Sequence, residues 1–101
     1  MDDRALLRSV ADRLEGLAAR TTGGDWRITG LLASRPEVVA HRPDGGTEHV
    51  AEARERTAPW IAALSPAVAR PLVTLLRVAG GADPLEPAAV DLARSLDPHL
   101  P

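Results

Sequence analysis

The sequence contains no cysteine, and this absence removes several kinds of chemistry. Without Cys, the chain cannot form disulfides, thiolate zinc sites or iron–sulfur clusters, and it has no thiol nucleophile. Phe and Tyr are also absent, and only two Trp are present. Base-stacking recognition of RNA depends on aromatic side chains, so this composition disfavours it.

Long apolar runs and an excess of basic charge are missing as well. No stretch approaches the ~20 apolar residues of a membrane span, and the Met-Asp-Asp-Arg start lacks the features of a secretory signal. All twelve basic residues are Arg, and fourteen acidic residues bring the formal charge to −2. The pI of about 5.9 lies far below the values above ~9 that typify nucleic-acid-binding domains. We therefore expect a cytoplasmic protein without membrane contact, and nucleic acid is disfavoured as a partner.

The composition predicts one small folded domain. The chain has 101 residues, of which 45% are hydrophobic and 26% are charged, a balance typical of globular proteins. Fourteen Leu, eight Val and two Ile supply the bulky aliphatic side chains, whereas eighteen Ala bury little area each. We therefore expect a marginally stable monomer or stabilisation by a partner subunit.

The first half of the chain predicts a helix followed by a small sheet. Over residues 1–20, apolar residues recur at spacings of three and four, as in an amphipathic helix: Leu7, Val10, Leu14 and Leu17. Over residues 26–52, short alternating segments separated by Gly and Pro predict a three-stranded antiparallel meander. The part at 47–56 also suits a helix by composition.

The second half predicts helices over 57–96 and a frayed tail at 97–101. The central helix begins at Ser65-Pro66 and is apolar around most of its circumference. Pro71 either kinks this helix or separates two helices. Such a helix must be buried on several sides, and apolar surface that its own domain leaves uncovered is the strongest sign of a partner. The fold class is therefore α+β, with the helices packed on one face of the sheet.

The polar face around His41 is a candidate ligand site. A four-residue loop at 43–46 would place six residues on one face of the sheet: Glu37, Val39, His41, Glu48, Val50 and Glu52. His41 and Glu48 would then be cross-strand neighbours, and together with Glu52 they could bind a metal or respond to pH. His49 would point to the other face. We favour an exposed polar ladder and keep the ligand site as the alternative.

A second candidate is a nucleic-acid-binding stripe on the central helix. Residues 58–79 could be read as a helix-turn-helix, with Arg70, Thr74 and Arg77 facing a DNA groove. The helix is too apolar for a typical recognition helix, so we favour the polar edge of a core helix. Trp26 and Trp60 are expected to be core anchors.

Signatures of catalysis or phosphate binding are not found. The glycine pairs are not followed by Lys-Ser/Thr, and G-x-G-x-x-G does not occur. None of the four Ser lies in a G-x-S-x-G elbow. We therefore expect no enzyme and no cofactor.

Several short motifs together resemble those of known small proteins. They lie at 22–27 (TGGDWR), 38–40 (VVA), 43–45 (PDG), 58–68 (APWIAALSPAV) and 75–76 (LL). This pattern is similar to small uncharacterised actinobacterial proteins and to phage-encoded accessory proteins, which often have Gly-Pro-Trp where this chain has Gly-Asp-Trp. The resemblance implies a small α+β accessory protein that acts by binding, and it is compatible with a mobile-element origin. It transfers no catalytic residue.

The leading hypothesis is a non-catalytic protein-interaction module that forms a homo-oligomer or binds a protein partner. The expected interface draws on the first helix, the central helix and one Trp: Leu7, Val10, Leu14, Leu72, Leu75, Leu76 and Trp60. The alternatives are a DNA-binding regulator that uses the Arg70 stripe and a small metal- or ligand-binding protein at the His41 face.

Overall fold

The computed structural model describes residues 1–30 and 36–101, and it confirms the α+β class. Residues 31–35, which belong to the predicted meander at 26–52, lie outside the described residues. Among the described helices, none combines the length and the apolarity that crossing a bilayer requires. The elements are, in order, α1 Asp3–Arg20, β1 Asp25–Thr29, β2 Glu37–His41, β3 Thr47–Glu52, α2 Ala58–Ala63, α3 Pro66–Gly81, α4 Pro87–Leu96 and a 3-10 helix at Asp97–His99.

The chain divides into two compact units, and the prediction of a single domain stays a prediction. Unit 1 comprises Met1–Arg20 and Ala69–Pro101, and unit 2 comprises Thr21–Val68.

The core of unit 1 is built from small and medium aliphatic side chains. α1 begins where Asp2 Oδ1 accepts a hydrogen bond from the amide of Ala5 at 2.7 Å, which satisfies a free donor of the first turn. Its apolar face packs against α3 and α4, as its spacing predicted. The buried residues of this core are Leu7, Val10, Ala11, Val73, Leu76, Val90 and Ala93.

α3 is a single helix that continues through Pro71. Pro71 is exposed, so its ring lies on the side of the helix away from the core. At the other end, Arg4 Nη1 donates to the carbonyls of Gly80 at 2.9 Å and Ala82 at 2.7 Å. The guanidinium thereby satisfies carbonyls that the last turn leaves without helical partners.

The C-terminal tail, for which the sequence predicts fraying, packs against unit 1. Residues Asp97–His99 form a 3-10 helix, and Arg13 of α1 forms an ion pair with Asp97. Leu100 packs against the core of unit 1. Apolar burial and an ion pair therefore both attach the tail to α1, which the tail's own sequence does not indicate.

Unit 2 is a three-stranded antiparallel sheet in the order β1-β2-β3, with α2 packed against β1 and β2. Val38, Ala40 and Ala58 are fully buried. The sequence left the segment 47–56 open between strand and helix, and its first six residues form strand β3. Thr57 occupies the predicted N-cap position of α2 but makes no capping hydrogen bond through its side chain.

The β2–β3 loop is one residue shorter than predicted. The amide of Arg42 donates to Gly46 O at 2.8 Å, and the amide of Gly45 donates to Arg42 O at 3.0 Å. Gly45 has a φ of 86°. A three-residue loop that ends in a left-handed glycine is a common hairpin connection, and here it comprises residues 43–45. The predicted four-residue loop is therefore wrong, because Gly46 already belongs to the strand pairing.

We predict that neighbouring leucines of α3 respond very differently to truncation. Leu76 is fully buried and Leu75 is exposed. Leu76→Ala should lower the free energy of unfolding by about 2–5 kcal/mol, because it leaves a cavity in the core. Leu75→Ala, measured by urea denaturation of dilute protein, should change it by less than ~0.5 kcal/mol. Equal losses for the two variants would contradict the orientation of α3.

Candidate functional site

The His41 face differs from the predicted one because of the shorter loop. His41 lies opposite Thr47, and Glu48 lies opposite Ala40. The predicted His41–Glu48 pairing is therefore wrong, since directly opposite residues share a face and Glu48 shares that of Ala40. An irregularity at Val38/Val39 then restores the predicted pairing of Glu37 with Glu52.

The imidazole of His49 lies on the face where His41 was expected to find its partner. His49 pairs with Val39, and its Nδ1 is 3.5 Å from Glu37 Oε2. Glu48 instead forms an ion pair with Arg42. Among residues 1–30 and 36–101, no group of three or more His, Asp or Glu side chains is arranged to hold a metal ion. The structure thus does not bring His41, Glu48 and Glu52 together.

A shallow cleft of about 410 Å³ lies at one end of the sheet in unit 2. Its charged groups largely neutralise one another, since Arg27 Nε donates to Asp25 Oδ2 at 2.8 Å and Arg42 pairs with Glu48. The Nε2 atom of His41 is buried without a hydrogen-bond partner in the part of the chain that is described. The cleft lining is Gly24, Asp25, Arg27, His41, Arg42, Pro43 and Ala67.

The predicted nucleic-acid-binding stripe is only partly available. Arg77 donates to Glu15 Oε2 at 3.0 Å, to Glu15 Oε1 at 3.2 Å and to Asp12 Oδ1 at 2.9 Å. The hydroxyl of Thr74 donates to the carbonyl of Arg70 at 3.1 Å. One guanidinium between two carboxylates forms a cluster with a net charge of −1, which a phosphate backbone would not favour. We call Asp12, Glu15 and Arg77 the acidic cluster.

The acidic cluster changes the titration of Glu15. Hydrogen bonds from Arg77 hold the pKa of Glu15 below its ordinary value of 4.5, and the charge of the same guanidinium lowers it further. The pKa of Arg77 is raised by the hydrogen bonds to Glu15 and Asp12. The two side chains therefore remain charged throughout the neutral range.

The predicted interface residues divide into two groups. Five of them belong to the core of unit 1, either fully buried or packed against it: Leu7, Val10, Leu76, Leu14 and Leu72. Leu75 is 57% exposed and, in unit 2, Trp60 is 69% exposed. The expectation that Trp60 anchors the core is therefore wrong, whereas Trp26 is half-buried and donates through Nε1 to Thr22 O at 3.1 Å.

An apolar ridge runs along the outer side of α3 in unit 1. It consists of Pro71, Leu75 and Val78, all exposed, and Val78 is 66% exposed. At 3.6 residues per turn these side chains fall within an arc of about 60°, opposite the buried Val73 and Leu76. Pro71 and Val78 were not predicted as surface residues, although their spacing of four and three residues about Leu75 was an available signal.

We predict that glycine is required at position 24 but not at position 23. Gly24 has a φ of 94°, and a Cβ there would lie 2.8 Å from His41 O. Gly24→Ala should therefore cost about 1–3 kcal/mol of stability. A Cβ at Gly23 meets no atom within 4 Å, so Gly23→Ala is the matched control and should be nearly neutral. Thermal unfolding of both variants tests this, and a neutral Gly24→Ala would be inconsistent with the strand end described.

We also predict a pH-dependent contribution of Glu15 to stability. Because its pKa in the folded chain is lowered, the contribution is complete above 4.5 and is lost as the pH falls through the folded pKa. Glu15→Gln should therefore unfold at lower urea concentration than the parent chain at about pH 7. The difference should shrink as the pH is lowered below 4.5 and Glu15 becomes protonated in the folded chain, and Asp91→Asn provides an exposed carboxylate control. A difference that persists at low pH would mean that the ion pair is not its source.

Comparison with known proteins does not assign this chain to a family. No family model matches it, and neither a curated protein nor a solved structure does.

Proposed function

We propose that this chain is a non-catalytic protein-interaction module that self-associates through the apolar ridge of α3. One observation carries the proposal. Leu75 and Val78 are 57% and 66% exposed and lie one turn apart on the same side of a helix whose opposite side is in the core.

The apolar side chains of the ridge form one contiguous surface, which favours an interface. Single exposed aliphatic residues are common on protein surfaces and need no explanation. Here Pro71, Leu75 and Val78 succeed one another along two turns of a helix that is rigidly held by its buried face. Removing such a surface from water stabilises an association by ~25 cal/mol per Å² of apolar area, before the cost of immobilising the partner. An interface built on three apolar side chains is small, and small interfaces are typical of weak, concentration-dependent association.

The remaining polar features support binding rather than catalysis. In the cleft of unit 2, the carboxylate of Asp25 and the guanidinium of Arg27 are engaged with each other. Arg42, which also lines the cleft, is paired with Glu48. These features favour an interaction module over an enzyme built around this cleft.

A DNA-binding role lacks a specific observation in its favour. Two of the three stripe residues have polar partners within unit 1: Arg77 in the acidic cluster and Thr74 on the backbone. Arg70 alone would contribute little to DNA affinity, because each neutralised phosphate adds only one increment to that affinity. We therefore propose one function only.

We predict that Leu75→Asp abolishes self-association without unfolding the chain. Leu75 is exposed, so the substitution removes interfacial apolar area and places a charge at the centre of the ridge, where pairing would have to desolvate it. Sedimentation velocity of the parent chain over about 1 μM to 1 mM should show a reversible increase in mass. Leu75→Asp should remain monomeric throughout, with the circular dichroism spectrum of the parent.

The matched control is Ala88→Asp, which adds the same charge at an exposed position of α4 near its N-terminus, where a carboxylate is tolerated. This variant should associate like the parent. A parent chain that stays monomeric at all concentrations would end the self-association proposal. Equal association of Leu75→Asp and Ala88→Asp would exclude the ridge as the contact surface.

A further inference from the structure

We infer that the two copies meet in an antiparallel orientation, with Arg70 of each copy beside Asp12 in the acidic cluster of the other. This inference rests on the proposed self-association through the ridge and deepens it. It assigns the orientation of the dimer to charge, whereas the ridge supplies the apolar contact.

The acidic cluster contains two carboxylates and one guanidinium, so one negative charge is left over. Arg77 makes two hydrogen bonds to Glu15 and one to Asp12. The lowered pKa of Glu15 reflects this stronger coupling. Asp12 contributes the surplus charge, and its side chain is 71% exposed. The cluster can therefore accept a further cation without losing its internal pairing.

Arg70 places a positive charge along the same edge of the ridge as the acidic cluster. Arg70 is exposed, and it precedes Arg77 by two helical turns, or about 10.5 Å along α3. The helical repeat puts both residues on one side of Pro71, Leu75 and Val78. One edge of the ridge therefore presents a positive charge near one end and a net negative charge near the other.

The symmetry of a dimer decides which edges of the two ridges meet. A two-fold axis that crosses α3 in the plane of the interface makes the two helices antiparallel and brings the same edge of each ridge together. Placed at the level of Thr74, between Arg70 and Arg77, this axis sets each Arg70 against the acidic cluster of the other copy. An axis parallel to α3 would instead bring opposite edges together and leave these charges unpaired. The charge pattern is thus self-complementary only in the antiparallel arrangement.

The test reverses the two charges in separate chains. In Arg70→Glu, an acidic side chain at position 70 faces Asp12 of the other copy, and in Asp12→Arg, a basic side chain at position 12 faces Arg70. Each variant alone therefore opposes like charges twice across the two-fold axis. In a mixed dimer, the new carboxylate at position 70 meets the new guanidinium at position 12, and the unchanged Arg70 meets the unchanged Asp12. Both contacts of the mixed dimer thus join opposite charges.

The measurement follows the Arg70→Glu chain alone, through a fluorophore on its N-terminus, by sedimentation velocity at low salt. We expect each variant alone to dimerise about tenfold more weakly than the parent chain, since two exposed charge contacts become repulsive. With an excess of Asp12→Arg, the labelled chain should dimerise with the parent affinity. Asp12→Arg removes the hydrogen bond from Arg77 to Asp12 and leaves Glu15 as the partner of Arg77, so the circular dichroism spectrum of this variant has to match that of the parent chain before the affinities are compared.

The control replaces Asp12→Arg with Asp91→Arg, which makes the same reversal at an exposed position of α4. The mixed dimer then keeps one repulsive contact, between the new carboxylate at position 70 and the unchanged Asp12. The labelled chain should therefore bind Asp91→Arg more weakly than it binds Asp12→Arg.

The outcomes separate the inference from the function on which it rests. If the parent chain dimerises but Arg70→Glu binds Asp12→Arg no more tightly than it binds itself, the antiparallel pairing is overturned and the ridge proposal survives. Equal binding to Asp91→Arg and Asp12→Arg would also overturn it, because general charge balance would then suffice. If the parent chain does not dimerise, both proposals fail.

Discussion

The burial of apolar side chains where α1, α3 and α4 meet is the constraint on which unit 1 depends. Without Phe or Tyr, the core has to be filled by Leu, Val and Ala, and such side chains bury enough area only when helices approach closely. At Gly80 a Cβ would lie 3.4 Å from Leu7 Cβ, which is an ordinary van der Waals contact, so α3 and α1 touch at this point. Leu7 and Leu76 are fully buried in this core. A helix with so many apolar residues cannot place all of them on one side, and the remainder form the ridge.

Ion pairs also connect α1 and α3. The acidic cluster joins α1 to α3 at the edge of the ridge through ion pairs of Arg77, and Arg70 lies two turns before Arg77 on the same edge. α3 therefore has a buried side, an exposed apolar side and a polar edge of mixed charge. The exposed apolar side and the polar edge together define the proposed contact. In unit 2 the charges around the cleft instead pair within the sheet.

Most of the element order could be predicted because those elements have local signals. The 3-4-3 spacing from Leu7 to Leu17 predicted α1, and the Pro43-Asp44-Gly45-Gly46 turn signal predicted a hairpin, although its loop is one residue shorter. The register at His41 could not be predicted, since a single residue of loop length decides which side chains share a face. The ion pair of Arg13 with Asp97 joins residues 84 positions apart, so the packing of the tail had no local signal. Apolar character alone also could not tell which of the predicted interface leucines would be exposed, because it does not say which side of α3 meets the core.

The central claim is that the ridge of α3 is where the chain meets a second copy of itself. The most direct measurement is a dilution series of ¹H–¹⁵N correlation spectra on the uniformly labelled chain, which reports every backbone amide separately. We expect concentration-dependent shifts that cluster around Arg70, Thr74, Leu75 and Val78 and extend to Asp12, while the strands of unit 2 remain unchanged. Spectra that do not change with concentration, or shifts that cluster on the sheet of unit 2, would contradict it.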